Sequence, residues 1–220
     1  LAAARAPLIA RQDADDWSHP DRLAEQVAWM HAHPDVDVLA TCADFIDAEG
    51  RAVENGWTQQ VRSQWDVAVT SAEIAALMPL TCCIFHATVV ARTEGLRAAG
   101  GYDPAMVPAE DYDLWLRMLP TVRFARLPRS LYAVRVHAAS SSTIRRSEQL
   151  ERVITAKLRN LRRRAPWLPT PASLWLPYED RGAAAFRRVG PAEGFALTAP
   201  GAPAPGAPVN EADVVAITPF

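Results

Sequence analysis

Pro7-Leu8-Ile9-Ala10-Arg11-Gln12-Asp13-Ala14-Asp15-Asp16 decides how this chain is read, because an apolar run passes directly into a polar stretch with three aspartates. The apolar run predicts a strand. In sheets whose strands alternate with helices, ligands gather beyond the carboxyl ends of the strands, where these acids fall. Positions two apart in extended chain share a face, so Asp13 and Asp15 point together and Asp16 opposes them. Two carboxylates held that close repel unless something positive lies between them. A hard divalent cation such as Mg²⁺ or Mn²⁺, bridging to phosphate oxygens, meets that need. The competing reading is that the aspartates are solvated or cap the next helix. Ser18 already fills the cap role, and Asp13 and Asp15 lie too far upstream for it.

Working outward, Ser18-His19-Pro20-Asp21 predicts a helix start, with Leu23, Val27 and Met30 as the inward stripe. Residues 36–46 (VDVLATCADFI) predict a strand, and 47–50 a turn into a second extended piece. Residues 57–69 carry a weak signal and read as a mobile loop. A short helix at 71–78, opened by Thr70 or Ser71, precedes a strand at 81–91. A helical turn at 94–99 ends at Gly100-Gly101, a pair suited to positive φ. A helix at 110–119 presents Leu114, Trp115 and Met118, and strands follow at 121–127 and 131–137. Residues 143–164 predict an amphipathic helix with Leu150, Val153, Ile154, Leu158 and Leu161 as its stripe. The Pro/Ala/Gly run at 199–208 (APGAPAPGAP) predicts an extended tail.

The expected fold class is therefore α/β. Its organisation is a first domain over 1–142, a helical extension over 143–188 and a flexible tail over 189–220. Half of the 220 residues are hydrophobic, which is enough for a substantial core. A net charge of -2 argues against a dedicated nucleic-acid binder. No apolar run approaches the roughly 18 residues of a membrane span. Cys42, Cys82 and Cys83 have neither an even count nor a metal-type spacing, which predicts reduced thiols and a cytoplasmic setting.

A second acidic cluster, Glu110-Asp111-Tyr112-Asp113, opens the helix at 110–119. Acids in a first turn complement the helix dipole, and that is half of their explanation. The same dipole keeps a carboxylate ionised and ready to accept a proton from a hydroxyl. His137 ends a strand, two residues after Arg135 and on the same face. A histidine there is commonly a surface residue, yet its neutral imidazole can also bind a divalent metal. His86, within an apolar segment, reads first as a hydrogen-bonded core residue.

The order of these pieces says more than any one of them. Residues 9–16, then His19-Pro20-Asp21-Arg22-Leu23, then His33-Pro34-Asp35-Val36-Asp37-Val38 resemble the middle of family 2 glycosyltransferases. The resemblance continues through Phe45-Ile46-Asp47, Gly50, His86-Ala87-Thr88 and Gly100-Gly101-Tyr102-Asp103. It closes with residues 110–117 and Arg135-Val136-His137, and so covers about 1–142. It implies a GT-A-like mixed sheet flanked by helices, lacking its first strands and helices, and transfer with inversion at the anomeric carbon. By position, Asp13, Asp15 and Arg135 would face the donor diphosphate, and Asp13, Asp15 and His137 the metal, Mn²⁺ or Mg²⁺. Asp111 would be the general base and Glu110 would orient the acceptor, with His86, Tyr102 and Asp113 on the acceptor side. The implied partners are a nucleotide-sugar donor and a saccharide, lipid-linked or protein acceptor. Peripheral association with the inner face of a membrane accompanies them. Ala87 stands where the family pattern has proline, and the family's opening strand and uracil-contacting segment have no counterpart.

Two other readings compete. One is a truncated, non-catalytic transferase-like binding module. The other is a haloacid-dehalogenase-like phosphatase, where Thr or Val closely follows the second aspartate; here Asp16-Trp17 follows instead.

Overall fold

The computed structural model describes residues 1–66, 68–137 and 145–166, and the backbone of 174–180 and 183–189. The chain divides into two units, Leu1–Lys157 and Leu158–Phe220. In the first, a five-stranded mixed sheet carries the fold. Its strands are β1 (Leu8–Ala10), β2 (Trp17–Ser18), β3 (Val38–Ile46), β4 (Val90–Arg92) and β5 (Phe124–Arg135). They lie in the order β1-β4-β3-β5-β2. β3 and β5 run parallel, β4 is antiparallel to both β1 and β3, and β2 is antiparallel to β5. The carboxyl ends of β1, β3 and β5 and the amino end of β4 therefore share one margin of the sheet.

Alternation along the strands divides the core between two faces. Val38, Ala91 and Phe124 join one cluster, whose largest members come from α5 (Glu110–Met118): Tyr112, Trp115 and Met118. Leu39, Val90 and Ala125 face the other side and meet Met30 of α1 (Arg22–Ala32). α1 turns inward differently from its expected stripe. Arg22, Gln26 and Met30 are buried, whereas Leu23 is half exposed. Asp21, not Ser18, stands at its N-cap, and Ser18 pairs with Tyr132 in β2.

Three further expectations are corrected. The segment read as a mobile loop holds α2 (Gly56–Trp65), opened by a capping box in which Asn55 and Thr58 bond reciprocally. Trp65 from its last turn stacks on Phe85, ring centroids 4.3 Å apart. The strand expected over 81–91 is extended only at β4, because residues 86–88 close a short 3₁₀ turn. The two strands expected after α5 are one, with a bulge against β3 where Thr41 faces Leu127 but Cys42 faces Ser130. Pro128, which lacks an N–H, sits in that bulge.

Other expectations hold. α3 (Ser71–Leu77) is capped by Thr70, and α4 (Thr93–Ala98) is followed by Gly100 and Gly101 at φ 82° and 68°. α6 (Arg146–Arg164) is the long amphipathic helix; Val153 and Ala156 reach the α5 side of the core. In the second unit, β6 (Leu174–Asp180) and β7 (Ala183–Val189) pair antiparallel, so the segment expected to be a helical extension also contains a hairpin. The tail at 190–220, including the Pro/Ala/Gly run, lies outside the described residues, as do 143 and 144 of the expected helix. No helix among the described residues is long and apolar enough to cross a membrane. All three cysteines are free thiols.

The capping box makes α2 testable. Asn55→Ala should lower the unfolding free energy by about 1 kcal/mol, the usual worth of an N-cap, in urea titrations followed by circular dichroism. A mobile loop over the same residues would register no change.

Candidate active site

The acidic loop after β1 is held from behind by a buried arginine. Arg22, only 1% exposed, reaches from the first turn of α1 under residues 11–18. Its guanidinium donates to the Arg11 carbonyl at 2.8 Å, to Gln12 Oε1 at 3.1 Å and to Ser18 Oγ at 3.3 Å. It also donates to Gln26 Oε1 at 2.9 Å and lies 4.8 Å above the Tyr132 ring. Gln26 in turn donates to the carbonyls of Leu39 and Thr88 at 3.1 and 2.9 Å. One turn of α1 thus ties the acidic loop to β3 and to the turn that carries His86.

The three aspartates do not share an extended face. Asp13 pairs with Arg11, and its N–H donates to the Tyr132 hydroxyl at 3.1 Å. Asp15 Oδ2 lies 2.9 Å from His137 Nε2, and that hydrogen bond is the main cause of a lowered Asp15 pKa. Asp16 accepts from the Arg135 N–H at 2.7 Å, and burial pushes its carboxyl above the usual range. A tight turn, with Asp16 N–H directed at the Asp13 carbonyl, replaces the expected extension. Asp15 and His137 meet as expected, while Asp13 is turned to Arg11.

Arg135, expected on a diphosphate, has a structural task. Its guanidinium donates to the carbonyls of Asp15, Asp47 and Ala48 at 2.7, 2.6 and 2.8 Å. It therefore staples the acidic loop to the turn after β3.

His86 and Tyr102, expected on the acceptor side, lie close to Asp111 at the start of α5. His86 Nε2 lies 2.8 Å from the Tyr102 hydroxyl, and His86 Nδ1 lies 4.0 Å from Asp111 Oδ2. Burial lowers the His86 pKa to about 4, with Arg11 adding to the effect, so the ring is neutral at pH 7. Burial raises the Asp111 pKa although Oδ1 accepts from the Tyr112 N–H at 2.8 Å. The Asp111 side chain keeps 26% of its surface open. Glu110 Oε2 is shielded from solvent and has no hydrogen-bond partner among the described residues. Both Asp13 and Arg11 act electrostatically on Asp111, which joins this group to the acidic loop.

Asp113 is the one member that the structure withdraws from the acceptor side. It is 1% exposed and bonds Arg117 Nε at 2.8 Å. Arg117 donates onward to the carbonyls of Ala99 and Gly101. Asp113 thus shapes the glycine turn before Tyr102 from beneath. Sequence reasoning missed this role, and it missed Arg22, Gln26 and Tyr132; the burial of a polar face at i, i+4 has no hydrophobic period to announce it.

No protein-family model matches the chain. Curated relatives do match. The chain is 28% identical over 137 residues to the O-antigen biosynthesis glycosyltransferase WbnJ of Escherichia coli, covering 61% of this chain and 49% of that protein. It is 32% identical over 138 residues to the putative glycosyltransferase EpsE of Bacillus subtilis, covering 61% and 45%. A third, the amylovoran biosynthesis glycosyltransferase AmsE of Erwinia amylovora, is 27% identical over 58% of this chain and 44% of its own length. Over about three fifths of its length the chain is thus similar in sequence to glycosyltransferases. It spans about half the length of the curated relatives it matches.

The His86 environment predicts a pH signature. A histidine at 6.5 in the unfolded chain and about 4 in the fold contributes stability that is present above pH 6.5 and is lost as pH falls toward 4. Between pH 7 and pH 5 the unfolding free energy should fall by about 2 kcal/mol more in the wild type than in His86→Gln. Urea unfolding of both proteins at the two pH values measures that difference; parallel behaviour would mean that His86 is not desolvated.

Proposed function

We propose that this chain is the catalytic-side portion of an inverting, metal-dependent glycosyltransferase that moves a sugar from a nucleoside-diphosphate donor to a hydroxyl. The observation that supports this most is Asp111: a partly open carboxylate at the start of α5, beside a neutral histidine and within electrostatic reach of the acidic loop. Burial makes it a stronger base, and its helix terminus favours the ionised form that a base must hold. Asp111 takes the proton of the incoming hydroxyl. Glu110, beside Asp111 in the first turn of the same helix, orients the acceptor. The His86–Tyr102 pair shapes the adjoining wall.

Asp15 and His137 fit a cation: a hard oxygen and an imidazole nitrogen converge at 2.9 Å. Among the described residues no three metal-type ligands cluster, so donor phosphates would complete the shell. When bound, Mg²⁺ or Mn²⁺ supplies charge neutralisation at the departing diphosphate. Asp13, paired with Arg11, comes to that shell only if the pair opens. The acceptor is a saccharide, lipid-linked or protein hydroxyl, and the reaction takes place on the cytoplasmic side, up to the inner face of a membrane.

Transfer or donor hydrolysis by the complete enzyme tests both halves. Chelator should abolish activity and Mn²⁺ should restore it, with Asp15→Asn weakening that response most. Asp111→Asn should lower turnover about 10²-fold or more with donor affinity unchanged, and Glu110→Gln should cost less. Full activity in chelator would remove the metal role, and equal losses at Asp111 and Glu110 would remove the assignment of the base.

A further inference from the structure

A recess lies at the carboxyl ends of β3 and β5, with Trp17 and Arg135 in its lining. It is an open groove of about 440 Å³, within the usual ~300–1,000 Å³ of small-molecule sites. Ile46, Ala52 and Ala133 contribute apolar lining, and Trp17, 49% exposed, stands on one wall. Across from it, Arg62 bonds Asp44 at 3.0 Å and Glu54 at 2.7 Å. Both carboxylates remain more than half exposed, at 56% and 53%. Trp57, also half exposed, packs edge-on to Phe45 with ring centroids 5.4 Å apart.

The chemistry of this lining selects among ligand classes. Two guanidinium groups balance two carboxylates, and each guanidinium is already engaged: Arg62 with the two acids, Arg135 with three carbonyls. No uncommitted positive charge is offered to a phosphate, and the acids repel one. A lipid tail would leave Asp44 and Glu54 facing hydrocarbon. A neutral polyol satisfies both kinds of surface. Its hydroxyls donate to the remaining lone pairs of these exposed carboxylates, those of Asp44 beside the bonds from Arg62 and Ser130, and its C–H face lies on an indole ring.

We infer that this groove is a binding subsite for a pyranose unit of a neutral glycan acceptor, with Trp17 as the stacking platform and Asp44 and Glu54 as hydroxyl acceptors. The inference rests on the proposed sugar transfer for its role, while the binding itself stands apart from catalysis. Arg135 staples the groove's turn at 47–48 to Asp15, so an occupied groove bears on the loop that carries the cation pair.

The test is saturation-transfer difference NMR on the 220-residue chain with methyl glycosides of glucose, galactose, mannose and N-acetylglucosamine. At least one should show transfer to its ring C–H protons. Trp17→Ala should weaken its binding by about fivefold or more, and Glu54→Gln should weaken it in the same direction. Both residues are solvent-exposed, and each variant's unfolding curve is recorded beside the titration to exclude misfolding. Binding of UDP with Mn²⁺ by the complete enzyme, measured in parallel, should be identical with and without each substitution. Absence of UDP binding by the complete enzyme in every form would count against the transferase reading and leave the groove's sugar signal standing. No transfer to any glycoside, an equal signal in Trp17→Ala, or UDP binding that falls with Trp17 would each overturn the subsite.

Discussion

The described site depends on a buried cation with neutral partners. Arg22 is almost fully enclosed, and burial pulls its pKa down from the usual range, the mark of a charge removed from water. Such burial costs several kcal/mol unless hydrogen bonds replace the lost hydration. Carbonyl, amide and hydroxyl oxygens supply them here, with the Tyr132 ring beneath. A planar fork of five donors can serve so many acceptors at once; an ammonium cannot. The guanidinium is satisfied only if residues 11–18 keep their course, so its cost of burial enforces the loop's shape.

The acidic loop and the start of α5 then divide their labour by environment. Asp15, well solvated and bonded to His137, stays below the usual carboxylate range, whereas Asp111, sheltered beside neutral His86, lies above it. Two carboxylates of one residue type are thereby suited to different tasks, one to hold charge and one to take a proton. Asp16, also raised, binds a backbone N–H and serves neither task directly.

Much of this was legible in the sequence, and the failures share causes. Apolar runs placed β1, β3 and α5, and Gly100-Gly101 marked a turn with positive φ. α1 is turned by about one residue from the stripe that Leu23 and Val27 predict, because the core accepts Arg22 and Gln26 instead. α2 escaped because its signal is a cap and two tryptophans rather than a continuous stripe. Residues 81–89 are apolar and β-branched yet form no strand, since burial around the 3₁₀ turn at 86–88 demands the same composition as a strand. Asp13, Asp15 and Asp16 are legible by type and spacing, but their separate partners come from β5 and the two residues after it, over a hundred residues away. No local pattern encodes that.

The segment between β1 and β2 has one more property. β1 and β2 are the two outermost strands, so the six residues Arg11–Asp16 cross the whole width of the sheet. Four inter-strand steps amount to about 19 Å, and the seven chain steps from Ala10 to Trp17 reach at most about 24 Å. Surface loops ordinarily absorb insertions and deletions with little penalty. This one is a strap with a tight turn folded into it at 13–16, and its length is set by the partners that hold Asp13, Asp15 and Asp16. Losing a residue would unseat β2 or pull the carboxylates off their partners, and gaining one would let them sag out of register. Variation in this chain should therefore change what the strap carries before it changes how long the strap is.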